Sequence, residues 1–274
     1  QIEALDKVND PDRRSYCLKM PTSAGKTRIA ELMILRFLLD HENYPDAKCV
    51  YIAPLRSLAS DVERTLSSSF RGISVSGFYG GRELDLIDQD ELKRAKVLVV
   101  TPEKLDSMLR YNPQLSSQIR LVIADEGHMV GDENRPTYGL IIQRLVYTLK
   151  IKRPKLERES TRLLFISGVL PEVNDFAKWL TGDRSNVIIS EWRPLKAPQV
   201  KVLKWDGSRV LEEANNRSQE IYVPISEQVN LLGEGSTSDK FENVVAQTAI
   251  FYARSKTTLL FSASKSKIKQ LFKR

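Results

Sequence analysis

The chain has 274 residues, 41% of them hydrophobic and 28% charged, with 13 Gly and 12 Pro, which is enough apolar material for a buried core and excludes a disordered or collagen-like chain. That length suits one large domain, or one domain with part of a second. The formal charge is +7, but seven basic residues and no acidic one lie between Val245 and Arg274, and removing them leaves 35 charges of each sign, so the excess belongs to the tail. Such a tail suits a phosphate-binding surface and a solvated helix face equally.

Short β-rich apolar runs alternate with amphipathic stretches from the start, the pattern of βαβ units and a parallel sheet. The first predicted strand, Ser15–Met20, leads through Pro21-Thr22-Ser23-Ala24-Gly25-Lys26-Thr27 into a helix over Lys26–Leu39. A helix N-terminus reached this way directs backbone N–H groups and the positive end of the helix dipole at an anion. Gly25 lets the backbone come close to phosphate, Lys26 can reach a triphosphate, and the Thr27 hydroxyl suits Mg²⁺, so the loop reads as a nucleotide site. The usual pattern has Gly or Ala five residues before Gly25, where this chain has Met20. No apolar run approaches the ~18 residues of a membrane span; the richest, Leu32–Leu39, contains Arg36.

Strand Cys49–Ala53 follows, then a helix over Ser57–Phe70, strands Ile73–Phe78 and Val97–Val100, and a helix over Pro102–Arg110. Gly80-Gly81-Arg82 fits a close approach of nucleic acid to the backbone and a plain turn alike. Thr101-Pro102-Glu103 is a good helix start, with Pro at the first helical position, and such a helix end can receive a phosphate or be only a cap. Arg56, in the loop after the second strand, is placed to help.

Strand Leu121–Ala124 ends in Asp125-Glu126, two carboxylates at the strand end where ligands bind in open α/β sheets. With a phosphate loop upstream, Asp125 suits the metal and Glu126 the attacking water. A helix over Tyr138–Leu149, strand Leu163–Ile166, a helix over Pro171–Leu180 and strand Val187–Ile189 complete an open, doubly wound α/β domain. After Trp192 the pattern loosens, Leu231–Asp239 reads as a surface loop, and Thr257–Ser262 with Lys265–Arg274 looks like a fresh strand and helix. The chain starts at Gln1 without an initiator Met and is expected to be a segment of something longer. Cys17 and Cys49 have no disulfide or zinc-site spacing, as expected of core residues in a reduced intracellular protein, cytoplasmic or nuclear.

Asp125-Glu126-Gly127-His128 resembles the DExH box of superfamily 2 helicases, and Pro21–Thr27 resembles their motif I, especially in the superkiller-type branch. Gln1 is similar to the Q-motif glutamine, Ala53–Ala59 to motif Ia, Thr101–Asp106 to motif Ib, Ser167–Pro171 to motif III, Trp192-Arg193-Pro194 to a branch-specific Arg-Pro element, and Leu259–Ser264 to motif IV. The resemblance implies a RecA-like P-loop domain over residues 1–194, a connecting region over 195–244 and the beginning of a second RecA-like domain over 245–274. It implies ATP and Mg²⁺ as cofactors, held by Gln1, Thr22, Ser23, Ala24, Gly25, Lys26, Thr27 and Asp125, with Glu126 as the base. It implies His128 and Ser167 as a coupling pair, and Arg56, Gly80, Gly81, Thr101 and Pro102 as contacts to single-stranded RNA or DNA, or to a duplex with a single-stranded tail.

Departures from the family pattern bear on specific roles. Ser167-Gly168-Val169 stands where Ser-Ala-Thr is common, so a hydroxyl is missing at Val169. Arg135-Pro136 and Gly139 match a downstream Arg-Gly and Glu poorly. Nothing resembles motif V or VI, whose arginines stabilise the transferring phosphoryl group, an effect worth about 10³ to 10⁵ in rate. The segment is therefore expected to bind ATP better than it turns it over, and to need the rest of a second RecA-like domain in cis. Rival expectations are a nucleic-acid-dependent ATPase switch or remodeller that does not unwind, and a nucleotide-binding scaffold whose hydrolysis has decayed.

Overall fold

The computed structural model describes residues 15–21, 24–80, 86–133, 136–151, 161–170, 172–192, 202–205, 210–214 and 217–221. The chain divides into two compact units, Gln1–Lys196 and Ala197–Arg274.

The first unit holds a seven-stranded sheet: β1 (Tyr16–Lys19), β2 (Lys48–Ile52), β3 (Val75–Phe78), β4 (Val97–Val100), β5 (Ile119–Ala124), β6 (Arg162–Ser167) and β7 (Val187–Ile189). The order is β3-β4-β2-β5-β6-β1-β7, and every pairing is parallel. Each strand falls where an apolar run predicts one. The near-continuous hydrophobicity has a direct cause, because helices cover both faces and β2 and β4 are buried at every position.

Alternate residues of each strand enter opposite cores. Tyr16, Leu18, Cys49, Tyr51, Ile123 and Ile166 face a layer built from α1 (Lys26–Asp40) and α2 (Arg56–Ser69), through Ile29, Met33, Phe37, Val62 and Leu66. Cys17, Val50, Ile52, Val122 and Phe165 face the other layer, built from α3 (Leu86–Arg94), α4 (Pro102–Tyr111), α6 (Pro136–Ile151) and α7 (Val173–Thr181). Both cysteines are buried and free, and burial pushes the Cys17 thiol up to about 12, so they are core residues as expected.

Two helices go beyond the sequence pattern. In α3, which reads LIDQDELKR, Leu92 is buried in the core, and six of the nine residues are charged or amide, so the sequence prints no clear helical period. The six-residue α5 (Pro113–Gln118) is set by its cap, since the Asn112 side chain accepts from the Leu115 N–H. Lys48 is 2% exposed, and its ammonium donates to the Lys93 and Ala95 carbonyls at 3.1 and 2.8 Å, closing the end of α3.

In the second unit, β8 (Val202–Trp205), β9 (Val210–Ala214) and β10 (Arg217–Ile221) form an antiparallel sheet in the order β10-β9-β8. They lie within 195–244, where the sequence pattern predicts no strands. No helix among the described residues is long and apolar enough to cross a membrane.

Candidate nucleotide and nucleic-acid site

Strand order brings the two chemical motifs together. The loop carrying Gly25-Lys26-Thr27 leaves β1, Asp125-Glu126 leaves β5, and only β6 lies between. In a parallel sheet all three carboxyl ends open on one rim, so the β1 and β5 ends stand roughly 10 Å apart, two strand spacings. The strand between ends in Ser167, whose carbonyl accepts from the Met20 N–H at 3.1 Å, pinning the start of the loop to the neighbouring strand end. Met20 is fully buried and serves as a core side chain below the loop.

Gly25 is the N-cap of α1 with φ 98° and ψ 24°, a left-handed conformation that glycine enters at no steric cost. That turn lets β1 reverse directly into the helix. Gly25 has no side chain with which to cap this end, and the first turn carries no acidic residue. The N–H groups and the positive dipole end are therefore not neutralised by the helix itself. Lys26 is half-buried, Thr27 is exposed and Ala24 is buried.

The acidic end is built from four elements. The Asp125 N–H donates to the Ile52 carbonyl at 3.0 Å, extending the β5 pairing past the strand end. Its carboxylate accepts the Tyr51 hydroxyl on Oδ2 at 2.8 Å and the Glu126 N–H on Oδ1 at 2.9 Å. Its carbonyl accepts the Tyr138 hydroxyl from α6 at 2.6 Å. Burial pushes the Asp125 carboxyl above the ordinary range, the Tyr51 and Glu126 donors pull it down, the Glu126 charge raises it and the Lys26 ammonium lowers it. The last influence links the loop and the acidic pair electrostatically. Tyr51 and Tyr138, buried against these carboxylates, have phenols raised well above their usual range.

Glu126 has φ 53° and ψ 46°, the only left-handed residue other than glycine among those described. Such a conformation costs about 1 kcal/mol or more and needs the surroundings to enforce it. Here the strand must break into a 3₁₀ turn, Gly127–Gly131. Gly127 has no room for a side chain, since a Cβ would stand 2.7 Å from Cδ1 of Phe165. Gly139 approaches the Val130 carbonyl so closely that a Cβ would collide with it, which gives this residue a packing role where sequence resemblance assigns none.

His128 Nδ1 lies 3.2 Å from Ser167 Oγ and 3.3 Å from Glu126 Oε2. The Ser167 hydroxyl donates to the Val169 carbonyl at 2.9 Å, so toward His128 it accepts, which sets the neutral ring as the Nδ1–H tautomer. The Val169 N–H returns to Ser167 Oγ at 3.2 Å, and the Val169 side chain is 65% exposed.

The remaining predicted contacts occupy the other half of the same rim, beyond β2, β4 and β3. Arg56 opens α2 and is exposed. Pro102 opens α4, with Thr101 in an extended N-cap conformation. The Thr101 side chain makes no cap bond, so the capping expected of that residue is absent and the first turn of α4 keeps its N–H groups. Gly80 is exposed, with open space where a side chain would be. Gln1, Thr22, Ser23, Gly81, Arg193, Pro194 and the 245–274 tail lie outside the described residues.

Sequence reasoning passes over Tyr51 and Tyr138. The available signal is a hydroxyl inside a strand and a helix face that are otherwise buried and aliphatic, since a buried phenol needs a partner.

A family model for the DEAD/DEAH box helicases matches residues 1–176. The Hachiman protein HamB of Bacillus cereus is 44% identical over 65% of this chain and 15% of its own length. The ATP-dependent DNA helicase Hel308 of Methanocaldococcus jannaschii is 27% identical over 72% of the chain and 15% of its own, and the activating signal cointegrator 1 complex subunit 3 of Dictyostelium discoideum is 31% identical over 81% and 10%. The chain thus spans a small part of the relatives it matches. Among solved structures, the DUF1998 helicase MrfA aligns over 99% of this chain and 37% of its own with a TM-score of 0.61 at 16% identity, a likeness of fold. The chain belongs to the DEAD/DEAH box helicases, as the N-terminal RecA-like domain of a superfamily 2 DExH helicase.

Proposed function

We propose that this chain is the ATP-binding half of a nucleic-acid-stimulated motor, which works when the rest of a second RecA-like domain closes over its sheet rim. The observation that carries the proposal is the convergence of a helix N-terminus with glycine at its N-cap, Gly25-Lys26, with the Asp125-Glu126 pair across one intervening strand. We take the first RecA-like domain as 1–194, the connecting region as 195–244 and the beginning of the second as 245–274. A nucleic-acid motor of this kind belongs in the cytoplasm or nucleus.

In this reading the α1 N–H groups, Gly25 and Lys26 bind the phosphates. Thr22, Ser23 and Ala24 line the loop, and Gln1 reads the base. The chain's donors fit magnesium: Thr27 and Asp125 offer oxygen, the ligand type that ion takes, while among the described residues no group of three or more His, Cys, Asp or Glu forms a metal site of its own. The ion would therefore arrive with the triphosphate, and when bound it neutralises phosphate charge. Glu126 accepts the proton of the attacking water. His128 and Ser167 report the state of that carboxylate to the domain boundary.

Nucleic acid runs along the β2-β4-β3 half of the rim, gripped through phosphates by Arg56, Gly80, Gly81 and the α4 N-terminus at Thr101-Pro102. Hel308 is named a DNA helicase, which favours single-stranded DNA, or a duplex with such a tail, as the track. The test uses the full-length protein. Single strands should stimulate its ATPase, it should displace a strand, and Glu126→Gln should abolish turnover by at least about 10² while nucleotide still binds. Unchanged turnover in that variant refutes the reading in favour of a decayed scaffold.

A second reading, a remodeller that hydrolyses ATP without unwinding, is favoured by one observation. The one proton of the Ser167 hydroxyl goes to the Val169 carbonyl of its own loop, and Val169 has no hydroxyl to offer. Stimulated ATPase without strand displacement supports it.

A further inference from the structure

We propose that Tyr51 is a positioning residue for Asp125, its phenol fixing the orientation of the carboxylate that the reading above assigns to magnesium. The inference rests on that reading and adds a part to it.

Tyr51 lies on β2 beside β5, paired with Ile123, and is 1% exposed. An aliphatic residue would serve this strand equally well, and every other residue of β2 after Lys48 is aliphatic or cysteine. The hydroxyl donates to Asp125 Oδ2 at 2.8 Å, while the Glu126 N–H donates to Oδ1 at 2.9 Å. Donors on both oxygens stop rotation about the terminal bond. A carboxylate has about four lone-pair positions, so about two remain for a metal-bound water or the ion itself. Neutrality of the donor matters. An Arg or Lys in its place would compensate the charge and compete with the cation, whereas a phenol orients the group and leaves the charge available. Tyr138 differs, since its hydroxyl goes to the main-chain carbonyl of Asp125 and leaves the carboxylate alone.

The test is binding of a fluorescent ATP analogue to this chain, titrated with MgCl₂, for wild type, Tyr51→Phe, Tyr138→Phe, Asp125→Asn, Lys26→Ala and the double variant Tyr51→Phe/Asp125→Asn. Phenylalanine keeps the packed ring, and circular dichroism checks the fold of each variant. Tyr51→Phe should raise the Mg²⁺ midpoint about tenfold and leave binding without Mg²⁺ as in wild type, the loss expected for one hydrogen bond to a charged group. In the Asp125→Asn background the same change should add nothing, because Tyr51 acts through that carboxylate. Tyr138→Phe should keep the wild-type midpoint. A wild-type midpoint for Tyr51→Phe, an equal shift in Tyr138→Phe, or full additivity in the double variant overturns the proposal and leaves the nucleotide reading intact provided Lys26→Ala and Asp125→Asn are impaired. If those two variants bind nucleotide and Mg²⁺ normally, the nucleotide reading fails and the positioning role fails with it.

Discussion

Asp125→Asn should stabilise the nucleotide-free chain while weakening its response to magnesium nucleotide. Burial is the main reason the Asp125 carboxyl titrates above its ordinary value of 3.8, with the Tyr51 and Glu126 donors and the Lys26 ammonium offsetting it in part. A carboxyl whose folded-state pKa exceeds its unfolded value holds more protons when folded. Stability therefore falls as pH rises through that interval, and the cost is fully present above it. At neutral pH the ionised group thus strains the empty fold. Asparagine has nearly the same shape and no charge; its carbonyl keeps the Glu126 N–H bond and its amide can donate to Tyr51. Removing that buried charge should raise the melting temperature of the nucleotide-free chain at pH 7, and each kcal/mol of relief would read as about 2 to 4 °C for a unit of this size. The gain should shrink as pH is lowered toward 4, where both states protonate. Saturating nucleotide at about a hundred times its Kd adds about 2.7 kcal/mol to the wild type. With magnesium nucleotide present the order should therefore reverse. Differential scanning fluorimetry at several pH values, with and without ligand, measures both halves. A nucleotide-free Asp125→Asn chain that melts below wild type at pH 7 refutes the reasoning, since the carboxylate would then be a net support of the fold.

Gly25→Ala forces a Cβ into a left-handed cap, costing about 1 to 2 kcal/mol, and should lower both the melting temperature and nucleotide affinity, the latter at least about tenfold, read by calorimetry. Gly127→Ala sets a Cβ against the buried Phe165 ring, so a loss of about 1 to 3 kcal/mol and a displaced Glu126 are expected; thermal melts of the chain and ATPase of the full-length protein check them. Lys48→Ala removes both bonds that close α3 and should cost about 2 kcal/mol, with nucleotide affinity unchanged because the residue starts β2, at the opposite end of the strands from the carboxyl-end rim; urea unfolding measures the loss.

How much of this was legible in the sequence depended on whether a residue's reason was local. Val97–Val100 and Leu121–Ala124 declare themselves because a strand covered on both faces must be apolar throughout. Gly25, Lys26, Asp125 and Glu126 stand out as candidates because the phosphate and magnesium chemistry proposed for them restricts the residue type. The six-residue α5 hides behind a single Asn112 cap, and β9 and β10, reading VLEEA and RSQEI, show too little alternation to be told from loop. Tyr51 is hidden for a different reason. It lies 74 positions from Asp125, and the two meet only because β2 and β5 are neighbours, which no local pattern states.

The same dependence on strand order gives Ser167 its place. Its strand lies between the loop strand and the acid strand, so its carbonyl takes the Met20 N–H on one side while its hydroxyl meets His128 on the other. If the proposed nucleotide reading holds, a phosphate pulling on the loop would act on the same strand end that His128 touches. In that reading, coupling between the loop and the acidic pair would need only that β6 shift as one rigid piece, with no contact between Lys26 and Glu126.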